Sequence, residues 1–250
     1  MTAVTGKAAR LAVAAAASGL LLVASAGRLR AEEVRLHVGI GGGARAGSWS
    51  PVVIDQGGGP VHVWAEDPDG QLVRSPAAAA SAPDRSRFQV RFGRPQAPLL
   101  IESTGADGRP SLTRLAPPAP LPSSEQVLLV VGDLPAAERT ARLLAGERDR
   151  RLRVVKVATP QALAAGASGM TPRDFDGIDA AIVCGTALTA AQDDALAQDA
   201  VRALDGWVQR GGRLVFIAGA ESATAAADAS VARWLPGPPG TPGKIGRAHV

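Results

Sequence analysis

The chain has 250 residues, of which 46% are apolar and 20% charged. That balance supports a packed core and excludes wholesale disorder, while the length fits one large domain or two ordinary ones. One Cys and three His exclude an internal disulfide framework and any multi-Cys metal site, and leave little for a His-based one. The formal charge of +4 is concentrated in residues 1–30, which hold Lys7, Arg10, Arg28 and Arg30 and no acid. The body is close to neutral, so a nucleic-acid partner loses its electrostatic support.

Residues 1–26 read as a signal peptide or an N-terminal anchor. Lys7 and Arg10 precede an Ala/Leu/Val run broken only by Ser18 and Gly19, and Ala24-Ser25-Ala26 supply the small residues of a cleavage site. The apolar run is short for a membrane span, which favours cleavage. Arg28 and Arg30 beyond it favour retention. Either reading places the body in the periplasm or cell envelope, where a lone Cys suits a protein that avoids disulfides.

Residues 32–115 read as an antiparallel β-sandwich. Val34, Leu36, Val38 and Ile40 alternate with polar residues or Gly, as do Val61, Val63 and Ala65, and Phe88, Val90 and Phe92. Period two with one apolar face marks half-buried strands, so Arg87, Gln89 and Arg91 are expected on a solvated face. Further runs lie at 49–55, 72–75, 98–103 and 111–115, separated by turn signals such as Gly41-Gly42-Gly43 and Asp107-Gly108. The stretch 77–80 reads as a surface loop. His37 and His62 face outward and invite a metal pair on adjacent strands, but two His without a third ligand read more simply as surface residues. Trp49 and Trp64 are candidates for a glycan-stacking platform; packing in the core and cover for a sheet edge are the plainer alternatives.

Residues 116–126 are Pro-rich and read as a stiff, extended linker. From 127 to 235 the pattern becomes strand, helix, strand, strand, helix, strand with unbroken apolar strands, the signature of a parallel α/β sheet of the doubly wound kind. Strands are expected at 127–131, 152–157, 178–183 and 214–217, and a first helix at 135–145. The second helix carries the stripe Leu196, Ala200, Ala203, Leu204, Trp207 and Val208, with Thr189 and Gln192 as its expected capping box and Gly211-Gly212 as its stop. The carboxyl ends of such strands are where ligands bind, so Asp133, Cys184, Gly185, Thr186, Gly219 and Glu221 are the candidate ligand residues. Asp133 doubles as a helix-cap candidate. The basic run Arg148, Arg150, Arg151, Arg153 and Lys156, interleaved with acids, reads as a solvated helix end and strand edge.

The stretches Asp176-Gly177-Ile178-Asp179-Ala180-Ala181-Ile182-Val183 and Ala203-Leu204-Asp205-Gly206-Trp207-Val208-Gln209-Arg210-Gly211-Gly212-Arg213-Leu214-Val215-Phe216 carry a resemblance. They resemble the class I glutamine amidotransferase-like (flavodoxin-like α/β) domain of bacterial envelope proteins of unassigned role, in which a β-domain precedes it and membrane helices often flank it. The resemblance covers residues 127–220. In active members of that family a Cys follows the strand that this helix leads into, and a His comes later. Here the matching stretch, Ile217-Ala218-Gly219-Ala220-Glu221, has no Cys, and no His lies between His62 and His249. Cys184 ends a different strand and has no base beside it in the sequence. The resemblance therefore implies the framework without catalytic residues and without a cofactor or metal.

Residues 236–250 read as a loop with an artefactual tail. Ile245-Gly246-Arg247-Ala248-His249-Val250 continues no earlier pattern and matches the translation of a sequencing adaptor, which implies a gene cut inside the loop and a truncated α/β domain with an exposed sheet edge. The function expected is a non-catalytic envelope protein that binds or scaffolds, with other envelope proteins as partners and membrane association through the N-terminus or missing C-terminal helices. The alternatives are a hydrolase or amidotransferase-type enzyme whose active residues lie in a missing C-terminal part, and a glycan-binding module.

Overall fold

In a computed structural model of the chain, the residues described are 35–55, 61–75, 85–94, 96–104, 108–116, 119–136, 139, 151–165, 167–189, 193–218 and 229–235. The expected signal or anchor, the 77–80 loop, the C-terminal tail, Arg148 and Arg150 lie outside them, as does most of the helix expected at 135–145. No helix among the described residues is long and apolar enough to cross a membrane.

Alternation in three segments and runs bounded by turn signals in four place all seven strands expected in the first half. They are β1 (Arg35–Val38), β3 (Trp49–Asp55), β4 (Val61–Glu66), β5 (Leu72–Ser75), β6 (Arg85–Arg91), β7 (Leu99–Thr104) and β8 (Pro110–Leu115). Two further short strands, β2 (Gly43–Arg45) and β9 (Ala119–Leu121), lie where turn and linker were expected. The seven form two antiparallel sheets, ordered β1-β3-β6 and β5-β4-β7-β8, with β6 against β4 and β5. Between the sheets lie Val52, Ile54, Phe88 and Val90 from one and Val61, Val63, Leu99 and Ile101 from the other, all buried. Their burial supplies the main driving force for this half.

The other face of β1-β3-β6 departs from the sequence expectation. Register puts Val53 opposite Arg87 and Pro51 opposite Gln89 on that face. Val53 is buried, and the Arg87 side chain is only 1% exposed. The face is covered by the 3-10 turn Pro172–Phe175 of the second half. Alternation identified the strand correctly but could not show that its polar face is also an interior face.

The second half holds a four-stranded parallel sheet, ordered β11-β10-β12-β13, from β10 (Glu125–Val131), β11 (Arg151–Val157), β12 (Ala180–Cys184) and β13 (Leu214–Ile217). Its described helices are α1 (Pro160–Leu163), α2 (Gly185–Thr189), α3 (Ala195–Gln209) and α4 (Ala229–Ala232). Ala200, Leu204 and Trp207 of α3 share one core with Leu129, Val131, Ala181 and Val183 of the sheet. The strand face bearing Val130 and Ile182 points the opposite way, and there β13 leaves Val215 56% and Ile217 38% exposed.

The ends of α3 have separable causes. The N-cap is Asp194, whose Oδ1 accepts from the N–H groups of Leu196 at 2.8 Å and Ala197 at 3.1 Å. The expected cap, Thr189, instead closes α2, donating its hydroxyl to the Thr186 carbonyl at 2.9 Å, and Gln192 lies outside the described residues. Aspartate next to the first apolar turn satisfies two orphan N–H groups directly, so it takes the cap. At the other end Gly212 N–H donates to Trp207 O (3.0 Å) and Gly211 N–H to Val208 O (2.9 Å). Those two bonds make a Schellman stop, with Gly211 in the left-handed region at φ +98°. A Cβ on Gly212 would sit 2.3 Å from the Trp207 ring. The W-V-x-x-G-G pattern is therefore a packing device: one glycine turns the chain and the next makes room for the indole.

The stretch read as a linker is extended but not free. Ala119–Leu121 pairs in parallel with Gly43–Arg45, and Leu121 is buried with Ile40, Val127 and Val155. Gly41 lets the turn before β2 approach β11, since a Cβ there would sit 2.4 Å from a Val155 methyl. The described residues accordingly belong to one compact unit.

Candidate functional site

The chain runs from β10 to β11 on one side, then crosses to β12 on the other. The ends of β10 and β12 therefore flank a topological switch point, the usual ligand position in open α/β sheets. Of the six candidate residues, the structure brings four to this place. Gly132 leads from β10 to exposed Asp133, and β12 ends at Cys184, followed by buried Gly185 and exposed Thr186 on α2. The two strand ends touch: a Cβ on Gly132 would lie 2.8 Å from that of Cys184 and 3.1 Å from that of Ala187. Gly219 and Glu221 lie outside the described residues.

Cys184 is buried, and its Sγ donates to the Asp133 carbonyl at 3.9 Å. Burial, and then the negative charge of Asp133, push its thiol above the ordinary cysteine value. Both effects disfavour the thiolate, the reactive form. The described histidines are elsewhere: His37 on β1 faces Asp55 at 3.9 Å, and His62 on β4 contacts Arg74. They occupy different sheets, which corrects the idea that they share adjacent strands. Among the described residues no three His, Cys, Asp or Glu stand close enough to hold a metal ion.

The two candidate glycan tryptophans are also separated. Trp49 on β3 lies at the junction of the halves, with the Arg173 guanidinium 5.0 Å from its ring centre. Trp64 on β4 belongs to the other antiparallel sheet. Its Nε1 donates to Glu102 at 3.0 Å, and Arg74 lies 6.0 Å from its ring centre. The two indoles form no common platform.

Sequence reasoning missed the polar residues that join the halves. The Arg87 Nη2 atom donates to Asp174 Oδ2 at 2.8 Å, and its Nη1 donates to the Ala164 carbonyl at 3.1 Å. Gln89 donates to the same carboxylate, and so does the Thr171 N–H at 2.8 Å. The Arg87 and Asp174 side chains are 1% and 0% exposed. A second joint is Arg45, which donates to Asp179 at 3.0 and 3.3 Å and to the Glu125 carbonyl at 2.6 Å. Asp179 also accepts from the Val127 N–H at 2.7 Å. The one sequence signal was the Asp176-Gly177-Ile178-Asp179 stretch, read as a fold marker.

No family model matches the chain, and no curated protein matches it. A crystal structure of the ZIG-8 IG1 homodimer is similar at 13% identity over 42% of this chain and 97% of that one, with a TM-score of 0.23. So slight a likeness carries no argument about fold or function.

Proposed function

We propose that this is a non-catalytic cell-envelope protein that binds or scaffolds other envelope proteins through a β-sandwich and a degenerate amidotransferase-like domain. The observation that carries this reading is the state of Cys184. It is a buried thiol bonded to a backbone carbonyl, and burial and a neighbouring carboxylate both hold it protonated. A nucleophilic cysteine needs the reverse, a base or positive charge within reach. The sheet order β11-β10-β12-β13 agrees with the second-first-third-fourth arrangement of flavodoxin-like sheets, which supports the amidotransferase-like framework. Two antiparallel sheets with a shared apolar interior support the sandwich. Export rests on the basic, apolar and small-residue order of residues 1–26.

The test is glutamine hydrolysis, read as ammonia release, with iodoacetamide labelling of the native protein at neutral pH. The expected result is no turnover and alkylation at least about tenfold slower than a free thiol, as a thiol held protonated requires. Turnover that vanishes in Cys184→Ala overturns the reading.

A further inference from the structure

The two stretches that carry the family resemblance converge on a place outside the switch point. At the amino ends of β10, β12 and β13 lies an open cavity of about 720 Å³, within the usual size range of small-ligand sites. Asp176 and Asp179 line it from one stretch and Trp207, Arg210 and Arg213 from the other, with Ser48 of the β-half across from them. We propose that this cavity is an oxyanion site, taking the carboxylate or phosphate group of a small ligand on Arg210 and Arg213.

Most of the other charges there already have structural work. Asp179 is neutralised by Arg45 and the Val127 N–H. Asp176 lies beside Arg173, which stacks on Trp49, and stands 3.9 Å from Arg210. The Arg213 carbonyl accepts from the Ala181 N–H at 2.8 Å, but its guanidinium, whose charge acts on Asp179, makes no hydrogen bond or ion pair with the described residues. Arg210 is not needed to cap α3, because the Trp207 and Val208 carbonyls are taken by Gly212 and Gly211. Its side chain is 47% exposed, and its only ion pair with a described residue is the long one to Asp176. The cavity lining thus sets Arg210 and Arg213 against Asp176 and Asp179, and because Asp179 is already met by Arg45 from outside the lining, guanidinium donors there keep capacity for a further oxyanion. Guanidinium forks suit planar or tetrahedral oxyanions, which accept two hydrogen bonds at once. The inference is independent of the state of Cys184.

The experiment is thermal unfolding of the full chain with increasing inorganic phosphate or acetate, against sodium chloride at matched ionic strength. Wild type, Arg213→Gln and Arg210→Gln/Arg213→Gln are compared, with Arg114→Gln on the distant β8 as control. A saturable rise in Tm is expected for wild type and the control, with the apparent Kd weakened at least about tenfold in Arg213→Gln, the loss of one charge-assisted contact. The phosphate and acetate arms tell which oxyanion is preferred. An equal response in wild type and Arg213→Gln is a bulk salt effect and overturns the proposal, as does the absence of saturation. Titration calorimetry of phosphate into wild type and Arg213→Gln gives the same comparison without relying on the double variant. Heat in wild type that persists undiminished in the single variant sinks the site.

Discussion

Asp174 is a buried acid that joins the two halves of the molecule. It stands third in the 3-10 turn Pro172–Phe175 and receives Arg87 and Gln89 from β6. Removing one partner of a buried ion pair leaves the other charge without compensation, which costs about 3–5 kcal/mol. Asp174→Ala is therefore expected to lose about that much in urea denaturation. Arg87→Met with Asp174→Leu is expected to recover a large part of it, because replacing both charges removes the desolvation cost as well as the attraction. A loss below about 1 kcal/mol for Asp174→Ala, the range of an exposed pair, would show that the two charges are solvated. In the sequence Asp174 was one of several acids in a short stretch, and Arg87 one of three polar residues on an alternating strand. Nothing local distinguishes a buried ion pair from two surface charges, since its partners lie 87 residues apart.

At the scale of the element, α3 shows how much local sequence decides. Its apolar stripe was legible because helical spacing alone selects the face, and the residues on it are buried or half-buried. Its stop was legible as Gly211-Gly212, and the structure adds the reason for the second glycine, room for Trp207. The start was misplaced. A Thr and a Gln three apart match a capping box, but Asp194 sits closer to the stripe and offers a carboxylate to two N–H groups. Asp194→Ala is expected to lower stability by about 1 kcal/mol, the usual loss of a helix cap. Thr189→Ala is expected to change it by less than about 0.5 kcal/mol, as for substitutions away from such features. Chemical denaturation of the pair decides the matter, and the opposite ranking would return the cap to Thr189.

For the molecule as a whole, the joint between Arg45 and Asp179 ties the first half to the base of the parallel sheet. Burial pushes the Asp179 carboxyl up. The Arg45 hydrogen bonds, the Val127 N–H and the charges of Arg45 and Arg213 outweigh that and hold it below the usual carboxylate range. A carboxyl depressed in the folded state binds fewer protons there than when unfolded. Its contribution is complete above the ordinary Asp value of about 3.9 and is lost as pH falls through the depressed one. Asp179→Asn should therefore flatten the acid limb of stability below about pH 4, measured as urea midpoints between about pH 3 and 6. An unchanged slope would mean that the Arg45 contact is absent in solution.

The sequence by itself determined the strands of the two antiparallel sheets and of the parallel sheet, though not the short pair β2 and β9, together with the apolar stripe and stop of α3 and the ends of β10 and β12. Those features rest on periodicity and turn chemistry, which are local. Tertiary structure alone decided that the polar face of β6 is an interior, that the proline-rich stretch pairs with β2, and that Trp49 and Trp64 belong to different surfaces. It also brought Asp176, Asp179, Arg210 and Arg213 around one cavity. Each of these depends on which distant segment covers a face, and alternation along a strand reads the same whether water or another layer lies above it.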